Sequence, residues 1–84
     1  MKKVIYPHHL DISNILAFRR RYEAIEPTEK VILDFNAVKN VSPLSAGIYL
    51  NCIRHFEEGH VYLINSSAMV ESNLQTMKIP YRRY

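Results

Sequence analysis

The chain has two glycines, one cysteine and no tryptophan among its 84 residues. So few glycines leave no glycine-rich loop of the kind that cradles a nucleotide phosphate. The lone Cys52 has no internal partner, which excludes a disulfide-stapled scaffold, and its apolar neighbours fit a reducing compartment, with the cytoplasm as the expected location. No apolar run approaches the roughly 18 residues that span a bilayer. Met1-Lys2-Lys3 leads through Val4 and Ile5 into Tyr6-Pro7-His8 rather than into a signal-peptide core, so membrane insertion and export are not expected. Charge is sparse as well. Charged residues make up 23% of the chain and the formal net charge is +3, which is too mild a balance to dictate a nucleic-acid partner.

What the chain does have is apolar material. Hydrophobic residues reach 48%, with six tyrosines and three phenylalanines, enough to offset chain entropy, and the length admits one core, hence one domain over 1–84. Lys2 to Tyr6 is β-branched and aromatic and stops at Pro7, which reads as a strand at or near a sheet edge. From Asp11, a residue able to cap as Ser13 is, the period changes: Ile12, Ile15, Leu16, Phe18, Tyr22 and Ile25 predict a helix that Pro27 ends. Val31 to Phe35 reads as a central strand buried on both sides. Ser42-Pro43 has the form of a helix entry, and a helix over 43–58 should bury Leu44, Ile48, Cys52, Ile53 and Phe56, with Gly59 as its left-handed stop. Val61 to Ile64 is a further buried strand. Ser66 or Ser67 caps a last helix with Val70, Leu74 and Met77 inward, and the tail Tyr81 to Tyr84 is expected to be exposed. Alternating strands and helices predict an α/β fold, a mostly parallel or mixed sheet of about four strands packed with about three helices.

Few side chains point to chemistry. His8, His9, His55 and His60 lack the two-to-four residue ligand spacings of a metal site, so no metal and no cofactor is expected. Cys52, among Ile48 and Phe56, reads as a small buried hydrophobe rather than a nucleophile. No serine, histidine and acid grouping carries a signature of nucleophilic catalysis, so an enzyme is not expected. Arg19-Arg20-Arg21 can touch phosphates, yet with Phe18 and Tyr22 inward it reads as a solvated arc of the first helix. A basic nucleic-acid-binding module built on those arginines is the alternative of a different class. Asp34, inside an apolar strand, needs hydrogen-bond partners, and structural support of the following loop is the expected role.

The segment from Val31 to Leu50, with Leu33-Asp34-Phe35 and Gly47-Ile48-Tyr49-Leu50, resembles the centre of a STAS domain, the fold of bacterial anti-sigma factor antagonists. Gly59-His60-Val61-Tyr62-Leu63-Ile64-Asn65 is similar to that family's glycine-polar-apolar strand ending in asparagine, and His9-Leu10-Asp11 to the leucine-aspartate before its first helix. In the ungapped register the family's turn aspartate falls on Ser42, its phosphorylated serine on Pro43, its second serine on Leu44 and its first glycine on Ser45. Proline cannot be phosphorylated. A register shifted by two brings Ser45 onto the phospho-acceptor and Gly47 onto the glycine.

The resemblance implies a non-enzymatic regulatory module that docks another protein through the turn and helix starting at Ser42. An anti-sigma kinase, another signalling protein or a transport ATPase subunit would be such a partner, and the alternative within the resemblance is that the chain is itself a STAS-like accessory subunit of a transport ATPase of lipid-transport type. Ser42, Pro43, Ser45 and the outward side of Tyr49 form the expected partner surface. Ser45 and Ser42 are the only candidate phospho-acceptors there, although both also serve simply as helix caps.

Overall fold

The computed structural model describes residues 1–39 and 43–84, with Pro43 described by its backbone. Four strands, β1 (Lys2–Ile5), β2 (Val31–Asp34), β3 (Val61–Ile64) and β4 (Arg82–Arg83), form one parallel sheet in the order β1-β2-β3-β4. Three helices connect them: α1 (Ile15–Glu23), α2 (Pro43–Asn51) and α3 (Ala68–Thr76). The α/β architecture follows from the alternation in the sequence, and β1 is indeed an edge strand.

Because successive strands step across the sheet in one direction, right-handed crossovers carry every helix to the same face. The core records this. Val4, Val31, Leu33, Val61 and Leu63 meet Phe18 and Tyr22 of α1, Ala46, Tyr49 and Leu50 of α2, and Val70 and Leu74 of α3. Strand residues one step out of phase lie on the other face, where Ile5 is 53% exposed and Ile32, Tyr62 and Ile64 are half-buried. β2 is therefore central but covered on one side only, which corrects the expectation of a strand buried on both. A short apolar run cannot distinguish the two cases, since Ile32 is as apolar as its inward neighbours.

Two helix faces differ from the sequence reading. In α1, Phe18 and Tyr22 are buried, whereas Leu16 is 66% exposed and Ile12, in a 3-10 turn (Ile12–Asn14) ahead of the helix, is 54% exposed. In α2 the inward set is Ala46, Tyr49, Leu50 and, beyond the helix, Ile53, spaced i, i+3, i+4, i+7. Leu44 is 75% exposed and Ile48 half-buried. The helix is apolar on nearly all sides, so periodicity admits two registers, and the one with small Ala46 against the sheet is adopted. Cys52, Ile53 and Phe56 are buried as expected. They belong, however, to a 3-10 turn (Cys52–His55) that ends at extended Phe56, short of residue 58.

The other ends follow local chemistry. Asp11 accepts a hydrogen bond from the Ser13 amide at 3.0 Å, and Ser67 caps α3 by accepting from the Val70 amide at 3.2 Å. Gly59 does adopt a left-handed backbone (φ 87°), but in the turn that delivers the chain to β3 rather than at the helix end. The tail is not merely exposed: Arg82 and Arg83 pair with Tyr62 and Leu63, and the Tyr84 amide donates to the Leu63 carbonyl at 2.9 Å. Among the described residues no helix is long and apolar enough to cross a membrane.

Candidate functional site

In a parallel sheet every strand points its C-terminal end to one rim, and the loops entering the helices gather there. Ser42 lies outside the described residues, and of Pro43 only the backbone opening α2 is described. Ser45, on the first turn, is half-buried. Tyr49 is not at the surface: it is fully buried, stacks obliquely on Phe18 with ring centroids 5.1 Å apart, and donates its hydroxyl to the Asp11 carbonyl at 2.6 Å. That position corrects the expected outward tyrosine. An i+3 step from Ala46 turns Tyr49 inward, and its polar tip reaches a carbonyl at the rim of the core. Burial raises its phenol pKa, with the nearby Asp11 adding to the effect.

Asp34, half-buried at the end of β2, has its carboxylate held by three partners. Its Oδ1 accepts from the Asn36 amide at 2.9 Å and from the Asn65 side-chain amide at 3.1 Å, and its Oδ2 lies 3.4 Å from the Lys3 ammonium. These contacts, led by the Asn36 amide, hold the carboxyl below its ordinary range. Asn65 sits in the left-handed region (φ 57°), a conformation asparagine tolerates, and so ties the end of β3 to the turn after β2. These contacts join the end of β2 to the residues that follow it and to the end of β3.

What sequence reasoning missed at this rim is its apolar surface. Among the described residues, the large exposed hydrophobic side chains are Met1, Ile5, Ile12, Leu16, Leu44, Met69 and Tyr84, and all but Met1 lie at the C-terminal ends of strands or the starts of helices. Leu16, Leu44 and Met69 each hold the second position of their helix. The three side chains therefore stand at the starts of three helices that share one face of the sheet. Neither α1 nor α2 carries an acid in its first turn, although Asp11 caps the 3-10 turn that runs into α1. The available signal was the surplus of apolar residues in α2 beyond one face.

Other residues singled out from the sequence fall elsewhere. Arg19 pairs with Glu23 (3.0 Å) and Arg21 donates to the Ile5 carbonyl (3.2 Å), so the arginine run splays over the outside of α1 instead of forming one patch. Cys52 is buried, donates to the Tyr49 carbonyl at 2.7 Å and meets the Tyr6 hydroxyl at 3.1 Å. Burial pushes its thiol up to about 12 and raises the Tyr6 phenol well above its ordinary range. Among the described residues no three histidine, cysteine or acidic side chains come together as a metal site would require. No family model matches the chain, and no curated protein or solved structure matches it.

Proposed function

We propose that this chain is a non-enzymatic, protein-binding regulatory module resembling an anti-sigma factor antagonist, and that it docks its partner on the rim where α2 begins. The observation that carries the reading is the 75% exposure of Leu44 on the first turn of α2, in line with Leu16 and Met69 at the same helical position. A row of solvent-facing aliphatic side chains costs solubility and contributes nothing to the core, and such surfaces characterise interfaces. Ser45 sits within that row, one residue beyond Leu44. The first turn of α2 carries no acid, and a helix N-terminus favours a partner segment that brings apolar side chains with negative charge among them. An anti-sigma kinase, another signalling protein or a transport ATPase subunit is the class of partner that the STAS resemblance suggests. With proline at position 43, regulation at the family's usual serine has no acceptor there, and Ser45 is the remaining hydroxyl in the shifted register.

The test uses a purified partner and calorimetry. Ser45→Glu places bulk and negative charge at the proposed contact, while circular dichroism checks the fold. Weakened binding with an unchanged spectrum supports the docking rim, and equal affinity moves the interface elsewhere.

A further inference from the structure

Among the described residues, no helix covers the second face of the sheet. Parallel sheets ordinarily carry helices on both faces, because their strands are apolar on both. Here all three helices share one face, and the other presents Lys3 and Ile5 from β1, Ile32 and Asp34 from β2, Tyr62 and Ile64 from β3, and Arg82 from β4. Tyr84, just past β4, turns to the same side and meets Tyr62 edge to face at 6.1 Å. One row across this face reads Lys3, Ile32, Tyr62, Arg82 by the strand register.

We propose that this open face receives an amphipathic helix of a partner protein, with an apolar stripe and acidic residues on both flanks. The reasoning is electrostatic and geometric. Strands are spaced about 4.8 Å apart, so Lys3 and Arg82 stand roughly 14 Å from each other across the apolar pair Ile32 and Tyr62. A helix about 10 Å wide, laid along β2 and β3, fits between them and sets its flanks against the two cations. Arg82 has no ion pair among the described residues, whereas Arg83 on the opposite side is held by Glu71 at 2.6 Å. The one acid on the face, Asp34, is already satisfied by Lys3, Asn36 and Asn65 and leaves the surface net positive.

Other occupants fit less well. Four strands of two to four residues make a face of roughly 19 by 13 Å at most, far below the ~800 Å² per partner of a stable dimer. A nucleic-acid strand needs parallel ring platforms and a continuous basic track. Here the two tyrosine rings are nearly perpendicular, at 85°, and the remaining apolar surface is isoleucine. The partner helix would bind weakly and exchange fast. The face shares Ile5 and Tyr84 with the apolar rim, but none of Leu16, Leu44 and Met69, on which the docking proposal rests.

The experiment titrates the full chain into a fluorescein-labelled, lactam-stapled helix of about 18 residues, long enough to hold its shape, with a leucine stripe flanked by glutamates. A matched peptide with lysine flanks, a labelled oligothymidine and sedimentation velocity of the chain alone run beside it. The expected result is binding of the glutamate-flanked peptide at least about tenfold tighter than the lysine-flanked one, weakened by salt. Arg82→Glu should reduce it about tenfold and Tyr84→Ser should reduce it further, while Met69→Ser on the rim leaves it unchanged. No binding, equal affinity for the two peptides, preferential binding of oligothymidine, or self-association abolished by Arg82→Glu would each overturn the proposal. Arg82 and Tyr84 both have exposed side chains, and circular dichroism of each variant confirms that the comparison is between folded proteins.

Discussion

Tyr49 carries a buried ring and one hydrogen bond that joins α2 to the loop before α1. Removing only the hydroxyl, in Tyr49→Phe, leaves the ring packing with Phe18 intact and takes away one of two hydrogen bonds to the Asp11 carbonyl, the other coming from the Asn14 amide at 3.0 Å. We expect a loss of roughly 1 kcal/mol in urea unfolding. Cys52 provides a second residue-scale expectation. Its thiol is buried, hydrogen-bonded and raised to about 12, so little thiolate forms near neutrality. A disulfide reagent should modify it slowly in the native protein and rapidly in denaturant; equally fast reaction in both would place the thiol at the surface. Asp34 and Glu71 give the pH dependence. Both carboxyls are held below their ordinary values, Asp34 chiefly by the Asn36 amide and Glu71 chiefly by Arg83. Their stabilising contribution is complete above the unfolded carboxylate range, near pH 4, and is lost as pH falls through the lower folded values. The thermal midpoint should therefore fall on acidification below about pH 4, and the fall should be smaller in Asp34→Asn.

The helices show how far a sequence pattern reaches. Helix existence was legible, because the caps and the stops are local: Asp11, Ser67 and the prolines act within a turn of themselves. Helix rotation was not. In α2, Leu44-Ile48-Cys52 and Ala46-Tyr49-Leu50-Ile53 are both legitimate stripes, and only the sheet beneath decides between them. The structure chooses the set containing alanine, which lets the helix approach closely. Leu50→Ala should cost about 2–5 kcal/mol as a core truncation, whereas Leu44→Ser should change stability by no more than about 0.5 kcal/mol, both read from denaturant midpoints. Comparable losses at the two positions would restore the first stripe. β4 was illegible for a different reason: Arg82 and Arg83 have no strand-like side chains, and their pairing depends on backbone groups and on Glu71. That carboxylate accepts from Ser66 (2.9 Å), Tyr81 (3.1 Å) and Arg83, and so fastens the tail to α3.

At the scale of the molecule, one topological fact organises the rest. Stepping always in one direction across the sheet places the helices together, aligns their first turns along one rim, and leaves the second sheet face bare. The sequence revealed the alternation of elements, since it follows from local composition. It could not reveal the one-sided layering, because strand order is settled by long-range pairing. Nor could it reveal the apolar rim, because Leu16, Leu44 and Met69 become a row only when three separate helices are set side by side. Of the residues expected on the partner surface, Ser45 is half-buried on the first turn of α2 and Tyr49 lies in the core, while Leu44, expected inward, is exposed.

The docking rim is tested most directly by quantitative affinity capture from an extract of the native cell, comparing wild type with Leu44→Asp and with Arg20→Glu on the outer side of α1, each checked for folding. The account predicts a protein retained by wild type and by Arg20→Glu and lost with Leu44→Asp. An identical set of captured proteins with Leu44→Asp and wild type would contradict it.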